Sequence, residues 1–346
     1  MSKKKINWLL ILQGWAMLWV VIGHAFLGKP GEGPEWENAL FHFAYSFHMP
    51  LFMLVSGWLF YLTRLKAYEL SWGGQISVIN DEKIKGNSWT YWRIVKDKAL
   101  RLLLPGLVFS IISFAIKIAF PGEMSRQAGL SINEISHAYL YPYDNPMREL
   151  WFIITLFWLM MLAPLWKVLL KNKWVMWCGL LVIGVLHFIH PQTDLLCIGR
   201  VFSYAIWFYL GIVISKEDLV DRFLVKQPWL VLLTGVLVYV AGTYTHSFIT
   251  TIGGITLSFG LAMILDKYIP KTFFTFRNYT YQIFLIGIFA QMFVKIMYKH
   301  ISMPYVGTYI LCILLGVYVP VLVSKVLEWI NWKPLLVCVG LKPGKK

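Results

Sequence analysis

Long apolar runs alternate with polar connections along the chain, and ten of the runs approach the roughly 20 residues that a helix needs to cross a ~30 Å hydrocarbon core. They lie near residues 6–27, 39–63, 102–120, 150–166, 174–190, 197–215, 229–246, 248–265, 279–298 and 305–327, the fourth short and the fifth borderline. Within each run the apolar character is continuous rather than alternating, which favours helices over the strands of a membrane barrel. The pattern predicts an all-α, polytopic membrane protein of about ten transmembrane helices. Two connections are long. The segment 64–101 carries Gly73-Gly74 and an alternating stretch at Ile76 and Val78, room for a small hairpin and an interfacial helix. The segment 121–149 is polar and ends just before Trp151. With no repeat and no attached soluble domain, residues 1–346 read as one integral-membrane domain.

Charge then orients the chain. With the N-terminus inside, the segments on the inner side hold 25 of the 32 Lys and Arg, against six outside and Lys117 within a span. The positive-inside rule is satisfied at every loop, so both termini are expected in the cytoplasm. The net charge of +15 is thereby explained without a nucleic acid partner. A composition of 58% hydrophobic and 14% charged residues excludes a water-soluble globule. Residues 1–5, Met-Ser-Lys-Lys-Lys, run into the first apolar stretch with no small-residue cleavage site after it, the pattern of a retained span rather than a signal peptide.

Candidate chemistry is sparse. Cys178, Cys197, Cys312 and Cys338 show no ligand spacing, so neither a metal nor a disulfide framework is expected. Histidine is more informative, because all eight (His24, His42, His48, His137, His187, His190, His246 and His300) fall in the outer half of this topology. His187 and His190 with Asp194 are a weak metal-ligand pattern. His24 ends an apolar helix at a depth where its imidazole must face protein or a wet cavity, which makes it a functional candidate.

The segment Leu12-Gln13-Gly14-Trp15 through Gly23-His24 resembles the first helix of the acyltransferase type three family, multi-span enzymes that O-acylate carbohydrates. Phe47-His48-Met49-Pro50 through Ser56-Gly57-Trp58-Leu59-Phe60 is similar to that family's second helix, especially in the fucose O-acetylase-like branch. The basic approach Lys98 to Arg101 into Leu102-Leu103-Leu104-Pro105, the start Leu150-Trp151-Phe152, and Arg200 before Phe208-Tyr209-Leu210-Gly211 follow in the family's order. Where many members carry an Arg eleven positions before the helix-one His, this chain has Gln13, and Gly287 stands near the position of a C-terminal His. Residues 66–90 look like an insertion.

The resemblance implies transfer of an acyl group, most commonly acetyl, from coenzyme A to a hydroxyl of an exported or cell-surface carbohydrate. Acetyl-CoA would be a co-substrate rather than a resident cofactor, and the setting would be the bacterial cytoplasmic membrane. A hydroxyl needs a positioned base, for which imidazole is suited. His24 is the expected base. His48 either assists it or packs between helices. Coenzyme A phosphates call for Arg or Lys, supplied by Arg93, Lys98 and Arg101 with Lys96 beside them, and Arg101 is expected deepest. The acceptor would meet Asp144, Arg148, Glu149, Trp151 and Arg200 on the exterior. Arg148 and Glu149 have a rival role at a helix start, Arg200 one as a snorkelling anchor. A secondary transporter or flippase for a sugar or lipid-linked glycan is the alternative, and a non-catalytic scaffold a third reading.

Overall fold

The computed structural model describes residues 7–28, 33–68, 90–120, 129, 131–220 and 224–342. The basic leader 1–5, Lys29, the hairpin expected at 73–78 and Arg126 lie outside the described residues. In chain order the helices are α1 (Asn7–His24), α2 (Glu35–Phe60), α3 (Tyr91–Lys98), α4 (Leu104–Ala119), α5 (Ile132–Leu140), α6 (Leu150–Met161), α7 (Ala163–Leu169), α8 (Lys173–Phe188), α9 (Ile198–Lys216), α10 (Pro228–Tyr244), α11 (Ser247–Tyr268), α12 (Thr280–His300), α13 (Tyr305–Ile330) and α14 (Lys333–Cys338). No strand occurs among the described residues. π-Helical turns at Tyr61–Leu65 and Ala99–Leu103 continue α2 and join α3 to α4.

Among the described residues, seven helical stretches are long and apolar enough to cross a bilayer: α1, Glu35–Tyr68, Tyr91–Ala119, Leu195–Lys216, α11, α12 and α13. α6 and α7 qualify only as a pair, bent by 52° where Leu162 breaks them. Pro164 follows at once, and a proline ring clashes with the carbonyl four residues back and lacks the N–H that would continue the ladder. α8 and α10, at 16 and 17 residues, fall short of the length. All ten apolar runs are thus helical, but length alone does not establish ten crossings. The first long connection is shorter than the pattern suggested, because helix continues to Tyr68 and resumes at Tyr91. The second contains α5, started by a reciprocal cap in which the Ser131 hydroxyl accepts from Glu134 N while the Glu134 carboxylate accepts from Ser131 N.

The chain forms two compact units, one of residues 1–52 and 219–346, the other of residues 53–218. In the first, α1 packs on α11, α12 and α13. Trp15 Nε1 donates to Ser258 Oγ (3.1 Å), and Asn7 Nδ2 donates to Asp266 at the far end of α11. In the second, α9 crosses the end of α2 with almost no space between backbones. A Cβ on Gly57 would lie 1.9 Å from the Phe208 carbonyl oxygen, and one on Gly211 would lie 2.0 Å from that of Leu54. Helices in lipid associate through such close approach of small residues.

Candidate active site

In the first unit, His24 closes α1 as a half-buried residue, with Nδ1 2.8 Å from the Val20 carbonyl oxygen. A carbonyl only accepts, so Nδ1 carries a proton, and in the neutral ring the lone pair is on Nε2. His48 in α2 is buried at 1% exposure, its Nδ1 2.5 Å from the Ala44 carbonyl oxygen. The phenol ring of Tyr45 touches both imidazoles, 6.0 Å from His24 and 4.9 Å from His48 between ring centres. The two histidines that the sequence singled out are therefore brought together on one aromatic ring. His187 and His190 are spent otherwise: His187 Nδ1 and His190 Nε2 bond the Ser203 carbonyl and hydroxyl at 2.6 and 3.0 Å. No cluster of three His, Cys, Asp or Glu poised for a metal occurs among the described residues.

In the second unit, Asp97 binds two guanidiniums carried by the two π-helical turns. Arg64 donates to Oδ2 from Nε (3.1 Å) and Nη2 (3.0 Å), and Arg101 Nε lies 2.9 Å from Oδ1. Such turns, one residue wider than an α-turn, recur at functional sites. Lys98 sits over the Phe60 ring at 5.6 Å, while Arg93 is exposed and uses its backbone N–H to cap on Thr90. The Arg101 side chain is half exposed, at 50%, against 15% for Arg64. Reaching across from the end of α2, Arg64 is the better sheltered cation.

At the opposite end of α4, about 24 Å along the helix from Arg101 to Lys117 at 1.5 Å per residue, the expected acceptor residues converge on Tyr143. Arg148 and Arg200 lie 4.1 and 4.6 Å from the centre of that ring. Arg200 also lies 4.7 Å from Trp151, which stacks on Tyr204 at 5.5 Å. Two consecutive non-glycine residues in the left-handed region, Leu196 (φ 48°) and Cys197 (φ 60°), turn the chain into α9 and aim Arg200 here. Non-glycine residues hold that conformation only where the surroundings enforce it. Arg200 Nε is buried without a hydrogen bond, the nearest carboxylate oxygen, on Asp194, being 3.5 Å away. Glu149 occupies the N-cap position of α6 without a side-chain capping bond.

Beside the array lies a cavity of about 350 Å³, lined by Phe114 and Lys117 of α4, by Asn133, Glu134, His137 and Ala138 of α5, and by Gly129, Asp144 and Pro146. Its size falls within the ~300–1,000 Å³ of small-molecule sites. Fully buried Asn145 ties its walls together: Oδ1 accepts from Ser110 Oγ (3.0 Å) and Met147 N (2.9 Å), and Nδ2 donates to the Ala138 carbonyl (3.4 Å). Lys117, read as a charge within a span, belongs to the last turn of α4 and to this cavity.

A family model described as an acyltransferase domain matches residues 6–325. The chain belongs to the acyltransferase type three family. No curated protein and no solved structure matches it. The protein is accordingly a membrane acyltransferase, and two of its motifs acquire a structural reason: Ser56-Gly57-Trp58 and Leu210-Gly211 are the places where α2 and α9 of the acyltransferase touch backbone to backbone. Other parts of the site gave little sequence signal. Tyr45 precedes His48 by three residues, which places both on one helix face, but that spacing is too common to single out a tyrosine. Arg64 is far in sequence from Asp97, and Tyr143 from Arg200, and only the packing of helices reveals those pairs.

Proposed function

We propose that this acyltransferase moves an acetyl group from coenzyme A to a hydroxyl of an exported or cell-surface carbohydrate, at the bacterial cytoplasmic membrane with both termini inside. The observation that carries the reading is the 2.8 Å contact of His24 Nδ1 with the Val20 carbonyl oxygen, which in the neutral ring makes Nε2 the nitrogen that can take a proton. In the reaction the acceptor oxygen attacks the thioester carbonyl while Nε2 takes the hydroxyl proton. The tetrahedral intermediate collapses with cleavage of the C–S bond, and the departing thiolate takes the proton from the imidazolium. An O-acetyl ester and free coenzyme A result. His48 serves this step from behind, holding Tyr45 against the His24 ring.

Arg64 and Arg101, with Lys98 and Arg93, are proposed to meet the phosphates of the donor, for which a guanidinium offers two parallel N–H groups. Arg148, Trp151 and Arg200 around Tyr143, with Asp144 and the adjoining cavity, are proposed to meet the sugar. Aromatic faces stack on the C–H face of a pyranose, and the carboxylates, amide and ammonium of the cavity suit its hydroxyls. Glu149 flanks this set. The deciding experiment incubates purified protein with acetyl-CoA and the host's envelope glycan and follows acetyl ester by mass. His24→Ala is expected to lose at least ~100-fold in rate, in line with loss of a general base, while folding to wild-type yield. Wild-type turnover by that variant would exclude His24.

A further inference from the structure

We propose that Gln291 and Lys295 of α12 and Tyr309 of α13 are positioning residues that hold the end of α1, and with it the His24 ring, for proton transfer. The proposal rests on the reading of His24 as the base. Because α1 stops at His24, its last four carbonyls have no partner within the helix, and in an apolar setting such groups are costly to leave unsatisfied. Three of these carbonyls receive side chains from two other helices. Gln291 Nε2 donates to the Val21 carbonyl at 2.8 Å and Lys295 Nζ to that of His24 itself at 2.8 Å, while the Ile22 carbonyl, which already accepts from Ala25 N at 3.1 Å, also receives the Tyr309 hydroxyl at 3.3 Å.

These donors have little freedom. Gln291 is 2% exposed and pressed against Gly316, where a Cβ would come 3.0 Å from its Cγ and Nε2. Tyr309 lies in a buried cluster with Ala25, Val294 and Cys312, and Lys295 Nζ sits 4.7 Å from the centre of the Phe26 ring. Charge supports the geometry, because the carbonyl end of a helix is its negative pole and a cation there is stabilising. The direction of the His24 ring is set by the Val20 carbonyl one turn earlier, so whatever fixes the main chain of residues 20–24 also fixes where Nε2 points. A count of basic residues treats Lys295 as one more exterior charge. Its hydrogen bond to the main chain of the base gives it a specific task.

The test compares Lys295→Met, Lys295→Arg, Gln291→Leu and His24→Ala as purified full-length enzymes, with melting temperature, kcat and KM for donor and acceptor measured for each. Lys295→Met and Gln291→Leu are expected to lower kcat by about 10- to 100-fold, the effect of displacing a reacting group by the order of 1 Å, with both KM values unchanged. Lys295→Arg, which donates to the same carbonyl, should recover most of the rate. If His24→Ala is dead while Lys295→Met and Gln291→Leu turn over at the wild-type kcat, the positioning role is refuted and the base stands. If kcat falls only in step with the folded fraction, or arginine fails to rescue, the residues are merely structural and the proposal is equally refuted. An active His24→Ala enzyme removes the reading on which it rests.

Discussion

Glu134 shows how a single residue prepares the cavity wall. It is exposed in the first turn of α5, and the hydrogen bonds from the Ser131 hydroxyl and backbone N–H hold its carboxyl below the ordinary carboxylate range. A carboxyl whose folded pKa is depressed adds stability that is present above its unfolded value and disappears as pH falls through the lowered one. The start of α5 should therefore stay capped through the range where ordinary carboxylates protonate and fray only below it. Hydrogen exchange of the α5 amides, corrected for intrinsic rate, should show that acid limb in the wild type. In Ser131→Ala, which keeps the backbone N–H bond, the limb should move up toward the ordinary carboxylate range, and an unmoved limb would contradict the assigned cause. The Ser-x-x-Glu spacing at 131–134 makes this cap readable from sequence. His24 is readable too, since an ionisable group ending an apolar run needs an explanation. Its neighbours Tyr45 and Lys295 are not, because apolar runs reveal where helices lie but not how each is rotated about its axis.

Between helices, the decisive quantities are distances that sequence leaves open. The Ser-Gly-Trp and Leu-Gly segments are recognisable as motifs, yet only the crossing of α2 and α9 explains why each needs glycine. Gly57→Ala and Gly211→Ala should each push the two backbones apart, and overpacking of this kind typically costs ~1–3 kcal/mol. With backbone oxygens as the obstacle there is no flexible side chain to yield, so both variants are expected to lose monodisperse protein in detergent and to melt earlier than wild type. Equal melting curves would show that the helices separate freely. The π-helical turns make a second case. Arg101 was expected among the cations for the donor phosphates, but Arg64 and Asp97 could not be, since 33 residues separate Arg64 from the carboxylate that binds it. If these guanidiniums meet phosphate, Arg101→Gln should raise KM for acetyl-CoA by roughly 10-fold, in keeping with the ~1.5–3 kcal/mol of a charged hydrogen bond. KM for an acetyl-pantetheine donor, which lacks the nucleotide phosphates, should be unaffected. A parallel rise for both donors would assign Arg101 to the fold instead.

For the whole molecule, the distribution of basic residues and the lengths of the helices make separable demands. Charge asks for an even number of crossings with 166–174 and 216–228 on the inner side, which requires both α8 and α10 to traverse the bilayer. Length argues against this, because 16 and 17 residues rise only about 24–26 Å at 1.5 Å each, several ångströms short of a ~30 Å core. A short helix can still cross if the bilayer thins or flanking side chains snorkel, at a cost of fractions of a kcal/mol per ångström. The flanks of α8 fit such a crossing: Lys173 begins it, beside a carboxylate oxygen of Glu217 at 3.6 Å, and His187 ends it. Single-cysteine probes on an otherwise cysteine-free chain decide between the two demands. Positions 172 and 226 should be shielded from an impermeant maleimide in intact cells, and positions 144, 192 and 245 should react with it. If α8 and α10 do not cross, α9 alone carries this part of the chain outward, so 192 should be shielded while 226 reacts with 245. That result would place the basic residues of 216–228 on the outer side, so the charge rule and the helix lengths cannot both be satisfied unless the two short helices cross.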